Sequence, residues 1–273
     1  MRPLTAVIVA VLLMLSGTAW WILARQSASM SMAQSSMAPP VPGAAVEASR
    51  SAAPVLAAVL HPEPGMREVG PGWFMAVWVL MMIAMMFPFA APMVVGYAAI
   101  MRPRQDGARL WLSVAAFTAG YLAVWTLVGT GALGLNLVLS MFLQHAMSPP
   151  FPQVTAGAVL IAAGLYQFTA WKRTCLTHCR STLSFFLHKW RPGPWGALRM
   201  GSDHGGYCVG CCWGLMSVLF AVGLMNLAWM ALLSVVIGVE KLSPQGVLAT
   251  RVIGATLMLA GGFLTAAPFL RIT

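Results

Sequence analysis

All five cysteines of the chain fall between residues 175 and 212, in two groups. The first reads Cys175-Leu-Thr-His178-Cys179 and the second Cys208-Val-Gly-Cys211-Cys212. Residues three and four apart are neighbours on a helix. The spacing therefore puts Cys175, His178 and Cys179 on one face, and Cys208 over both Cys211 and Cys212. Thiolates and an imidazole make a soft ligand set, suited to Cu(I), Zn(II) or an iron–sulfur cluster. A Cys-x-x-Cys pair also serves thiol–disulfide exchange, and cysteine packs well as a small apolar residue. Metal binding, thiol redox chemistry through Cys208 and Cys211, and packing alone are thus the three readings, of which we favour the first. The apolar run that holds the second group opens at Gly205. This predicts Cys208 in the first turn of a helix, where the dipole favours a thiolate, with Asp203 as the cap. Gly206, Gly210 and Gly214 repeat every four residues, a stripe that lets a second helix approach closely.

Thioether sulfur is also abundant, with 20 methionines. Met75, Met82, Met86 and Met93 form one helical stripe, and Met81 and Met85 lie beside it with Trp78. Pro88 and Pro92 interrupt this segment and should free the carbonyls of Ala84 and Pro88. A kinked helix lined by Met81, Met82, Met85 and Met86 would pass a soft cation; the same side chains would equally serve ordinary packing. Met30, Met32 and Met37 are spaced as a thioether clamp further upstream. His145, His188 and His204 read as interfacial residues rather than ligands.

The elements that hold these residues must lie in a membrane. Hydrophobic residues make up 59% of the 273 and charged residues only 8%, against about 25% in a soluble domain. Most of the surface must then face lipid. A net charge of +10 reports topology and inner-leaflet contact before nucleic acid, so no nucleic-acid partner is expected. The six acidic residues, Glu47, Glu63, Glu68, Asp106, Asp203 and Glu240, offer no buried carboxylate pair for hydrolysis or proton pumping. No phosphate-binding loop and no Asp-Lys-Thr-Gly motif is present, which argues against energised export.

A spanning helix needs about 20 mostly apolar residues. Runs of that kind cover 4–24, 73–99, 110–133 and 154–171, and 252–270 closes the chain. The stretch 205–239 is 35 residues long. As one helix it would run about 52 Å, well beyond a bilayer core, so two short helices turning near Gly223–Asn226 fit better. The expectation is an all-α polytopic membrane protein with seven spans, six being the alternative. Residues 1–24 form an anchor with Trp20 and Trp21 as interfacial residues. Residues 25–71 form an outer linker rich in Ser, Met and Pro, and 72–273 form the helical domain with both cysteine groups. Segment 101–109 carries a net +2, and 172–204 sets Lys172, Arg173, Arg180, Lys189, Arg191 and Arg199 against Asp203 alone. The positive-inside rule then makes both segments and the N-terminus cytoplasmic, in what we expect to be a bacterial inner membrane. Both cysteine groups would sit toward that reducing side, where structural disulfides are rare.

Three blocks of sequence resemble the DUF2182 family of predicted metal-binding integral membrane proteins. They are Trp78–Pro88, Tyr166–Arg180 and Gly206–Met216, the last continuing to Glu240–Lys241. The resemblance implies a helical membrane protein with a metal site, and matches Cys175, Cys179, Cys208, Cys211 and Cys212 to the family's motif cysteines and the paired methionines to its second-span motif. The expected function is binding of a soft metal ion, Cu(I) before Zn(II) or iron–sulfur, for uptake or delivery. Its partners would be the bilayer and a metallochaperone or metalloenzyme client. A membrane thiol–disulfide oxidoreductase and a structural subunit are the alternatives.

Overall fold

The computed structural model describes residues 2–37, 70–105, 107–143, 151–222 and 226–270. His61, His145 and most of the expected outer linker lie outside these residues. Within them the chain is all-α, as its composition led us to expect. It forms α1 (Arg2–Met37), α2 (Pro71–Met101), α3 (Gly107–Leu143), α4 (Phe151–Gln167), α5 (Ala170–Arg180), α6 (Thr182–Lys189), α7 (Gly193–Val222), α8 (Leu227–Leu242) and α9 (Gly246–Leu270).

Four helical segments are long and apolar enough to cross a membrane: Leu4–Ser29, Pro71–Met101, Gly107–Leu135 and Gly246–Ala267. A fifth follows if α4 and α5, bent by 66° at their junction, count as one broken span. Seven is not reached among the described residues. The predicted division of 205–239 does occur: α7 ends at Val222 and α8 starts at Leu227, capped by Asn226, whose side chain accepts from Trp229 N at 3.2 Å. At 16 residues, α8 is shorter than a full crossing.

Helix α1 runs on past Ala24, so Met30, Met32 and Met37 continue it as helix. Its packing also revises the anchor reading of Trp20. Pro88 has no N–H, which leaves the Ala84 carbonyl without its intrahelical donor. Ser16 Oγ donates to that carbonyl at 2.7 Å and Trp20 Nε1 at 3.1 Å. The first helix thus satisfies the break in the second, and Trp20 is tied into the bundle. Trp21 stays 60% exposed, with the Arg25 guanidinium 4.9 Å from its ring.

The pairings fix the arrangement around the cysteines. Leu4 and Ile8 lie beside Ala98 and Arg102 while Ser16 meets Ala84, so α1 and α2 are antiparallel. Helices α3 and α7 run the same way, Phe117 beside Gly201 and Tyr121 beside Gly205 and Cys208. A Cβ on Gly201 would collide with the Phe117 carbonyl, and one on Gly120 with the Leu198 carbonyl. Two glycines therefore let these backbones touch. The basic segments gather at one end: the Arg104 guanidinium sits over the Trp190 ring at 5.6 Å, and Gly96 of α2 packs against Thr182 of α6.

Candidate metal centre

The bend between α4 and α5 brings the first cysteine group to the second. At the break, Phe168 N and Thr169 N turn back to Leu165 O and Tyr166 O, both at 3.1 Å. Thr169 then caps α5, its hydroxyl oxygen accepting from Lys172 N at 3.3 Å. Helix α5 leaves the axis of α4 and lies along α7. Gly210 permits the contact: a Cβ there would stand 2.5 Å from Cys175 Sγ. The Tyr166 hydroxyl donates to the Gly210 carbonyl and pins the same place. Of the predicted glycine stripe, Gly210 meets Cys175 and Gly214 meets Tyr166, whereas Gly206 faces nothing within 4 Å.

Across this contact Cys179, Cys208 and Cys211 converge, their sulfurs all within 4.8 Å of one another and all buried. An ion holding sulfur at about 2.3 Å can bridge two sulfurs at most about 4.6 Å apart, so small side-chain rotations close the group around one metal. All five cysteines are free thiols. Cys211 and Cys212 each donate S–H to the Cys208 carbonyl, at 3.1 and 2.8 Å. Cys175, Cys212 and His178 stand outside the trio. His178 stacks on Tyr207 at 4.7 Å and turns Nδ1 to the Thr174 carbonyl at 2.9 Å.

Two neighbours of Cys208 were not foreseen from the sequence. Lys241 Nζ, on α8, donates to Cys208 Sγ at 3.0 Å and lies 4.0 Å from Met86 Sδ. The Tyr121 hydroxyl, on α3, is 3.2 Å from the same sulfur. Cys208 is thus the meeting point of four helices. It is not in a first turn, because α7 starts at Gly193, and Asp203 lies inside the helix, 3.9 Å from Lys189, rather than capping it. The positive charge at Cys208 comes from the Lys241 ammonium in place of a helix terminus. Glu240 faces the other way, into an internal ion pair with Lys172 at 2.7 Å that Gln167 joins at 3.1 Å. Lys172, counted in the sequence among the topology charges, is 1% exposed.

The paired methionines of α2 are core residues. Met81, Met82, Met85 and Met86 are all buried, and the 4.0 Å contact to Lys241 brings Met86 to the sulfur site. His204, expected at an interface, is buried one turn before Cys208 among Phe117, Tyr121 and Phe185, with ring centroids 5.6 to 6.3 Å apart.

A family model described as PpoB2, copper chaperone, matches residues 75–264. The chain belongs to the PpoB2 copper chaperone family. No curated protein and no solved structure matches it. The span matched to PpoB2 takes in α2 with its methionines, both cysteine groups and Lys241, and leaves out α1.

Proposed function

We propose that this chain is a membrane copper-handling protein that holds Cu(I) between Cys179, Cys208 and Cys211 and passes it to or from a client protein. The observation that carries this reading is the convergence of three buried sulfurs from two helices, in a chain of a copper chaperone family. Ligand number favours Cu(I) over the other soft candidates. A structural zinc site takes four protein ligands, and the common iron–sulfur clusters take four cysteines, whereas the sulfurs within 4.8 Å of one another are those of Cys179, Cys208 and Cys211, without Cys212. Thiolate softness then selects Cu(I). Lys241 offsets part of the negative charge that three thiolates bring into the bundle.

Met81, Met82, Met85 and Met86 form the thioether approach to this site. Thioethers hold Cu(I) less tightly than thiolates, so the ion moves from α2 toward the cysteines. The basic end of the bundle is the cytoplasmic end by the positive-inside rule, which also places the N-terminus there, in an inner membrane, with a metallochaperone or metalloenzyme as client. The DUF2182 resemblance of the same blocks agrees with this reading. Thiol–disulfide exchange is the weaker alternative, since Cys208 and Cys211 are each 1% exposed and redox-motif thiols work at accessible positions.

Metal analysis of the detergent-purified chain tests the proposal. Copper should co-purify or load under reducing conditions, and Cys208→Ser should remove it. Copper retained when Cys179, Cys208 and Cys211 are all serine would overturn the assignment.

A further inference from the structure

The three sulfurs are buried, so besides the thioether approach from α2 an ion exchanged with a thiol partner needs a route of its own. Beside them lies an open groove of about 680 Å³. Its walls include Trp171 and Trp213, 70% and 52% exposed, and Cys175 lines it. At one end the groove carries Ser202 and Asp203, and Asp203 approaches Lys189, so this end opens among the polar groups of the bundle's basic end. Gly206 also lines the groove, with nothing within 4 Å of where its Cβ would stand. Packing therefore does not require glycine there, and its missing side chain leaves the groove open.

Cys175 connects this groove to the metal centre. Its sulfur packs on Gly210, the residue before Cys211. It lies one turn from Cys179 on α5. It is outside the trio whose sulfurs fall within 4.8 Å of one another. A thiol that borders a groove on one side and touches the backbone beside a ligand on the other is placed for ligand exchange.

We propose that Cys175 is the exchange thiol of the centre: Cu(I) arriving as the thiolate complex of another molecule is handed through this groove to Cys175, and from Cys175 to Cys211 and its partners. The proposal rests on the reading of Cys179, Cys208 and Cys211 as the resting ligands. In the first exchange the Cys175 S–Cu bond forms as the donor's S–Cu bond breaks, and the Cys175 thiol proton leaves with the departing thiol. In the second the Cys211 S–Cu bond forms as the Cys175 S–Cu bond breaks, and the Cys211 proton returns to Cys175; Cys179 then displaces the donor's remaining thiolate, which leaves with the Cys179 proton, and Cys208 adds as the third ligand, its proton going to solvent. Copper stays Cu(I) throughout and no electron is transferred. The reverse sequence releases the ion to an acceptor thiol.

The test separates rate from affinity in the detergent-purified full chain. Loading is followed by rapid mixing with the Cu(I) complex of glutathione in one arm and of a Cys-x-x-Cys peptide in the other. Equilibrium affinity is read by competition with a chromophoric Cu(I) chelator. Gly206→Leu fills the groove and should slow loading by about tenfold or more while affinity stays within about threefold. Cys175→Ser should slow loading to a similar degree, and the double variant should be no slower than the slower single one. Slowing confined to the peptide arm identifies a protein cysteine as the natural donor, and slowing in both arms includes small thiols. Wild-type loading rates in both variants would overturn the proposal. So would an affinity loss in Cys175→Ser as large as in Cys208→Ser, which would make Cys175 a resting ligand. If the wild-type chain binds no Cu(I) at equilibrium, the metal reading itself fails.

Discussion

At the scale of single residues, the centre is defined by what surrounds Cys208. A buried ammonium 3.0 Å from its sulfur makes a charge-assisted hydrogen bond, and the Tyr121 hydroxyl lies 3.2 Å away. Glu240 turns to Lys172 and Gln167, which leaves the Lys241 ammonium directed at sulfur. Two electrostatic effects of Lys241 on a bound cation oppose one another. Its charge repels Cu(I), yet it also stabilises the thiolates that must form before any ion binds. Three thiolates around one Cu(I) leave a negative centre, so the second effect dominates. Lys241→Met should therefore weaken Cu(I) binding, by about 1.5–3 kcal/mol or roughly tenfold to a hundredfold, the worth of a hydrogen bond to a charged group. Chelator competition measures this, and unchanged or tighter binding would show that repulsion governs the site.

At the scale of elements, the centre exists because α5 bends onto α7 and because α3 and α7 touch backbone to backbone. The second contact is the less forgiving, since a side chain on Gly201 meets the Phe117 carbonyl, which no rotamer change can move. Gly201→Val should force α3 from α7, draw Tyr121 off Cys208 and lower the thermal unfolding temperature in detergent. A cost of about 1–3 kcal/mol is expected from overpacking alone, whereas Gly206→Val should be nearly neutral. Equal unfolding temperatures for the two variants would contradict the packing described. The same elements show what the sequence could and could not reveal. The facing of Cys208 with Cys211 and Cys212 is a matter of helical period and was legible directly. The freed Ala84 carbonyl was legible from Pro88, but its partners, Ser16 and Trp20, lie 68 and 64 residues away, with no local pattern to announce them. Lys241 and Tyr121 escaped for the same reason: each is one residue on a distant helix. The start of α7 was misplaced because hydropathy marks where a helix meets lipid. Its first turns, with Arg199, Asp203 and His204, are helical while carrying charge and polarity.

At the scale of the molecule, the bundle has a basic end and an apolar body, with the sulfur centre between them. Cys208 is seven residues along α7 from Gly201, about 10 Å further into the bundle at 1.5 Å per residue. The centre is thus set below the end where Arg104, Trp190, Lys189 and Asp203 collect, and the groove at Cys175 bridges that distance. Buried methionines of α2 approach from within the core, and Met86 and Lys241 meet beside Cys208. Such a layout fits an ion held in transit between the thioethers of the core and thiol exchange at one end. One Cu(I) resting between Cys179, Cys208 and Cys211 would be read from its ligand shell by copper X-ray absorption on the detergent-purified, Cu(I)-loaded chain. The expected result is one Cu(I) per chain in a shell of three sulfurs, falling to two or to no bound copper in Cys179→Ser. A shell of nitrogen or oxygen neighbours, or a sulfur shell untouched by the loss of Cys179, would contradict it.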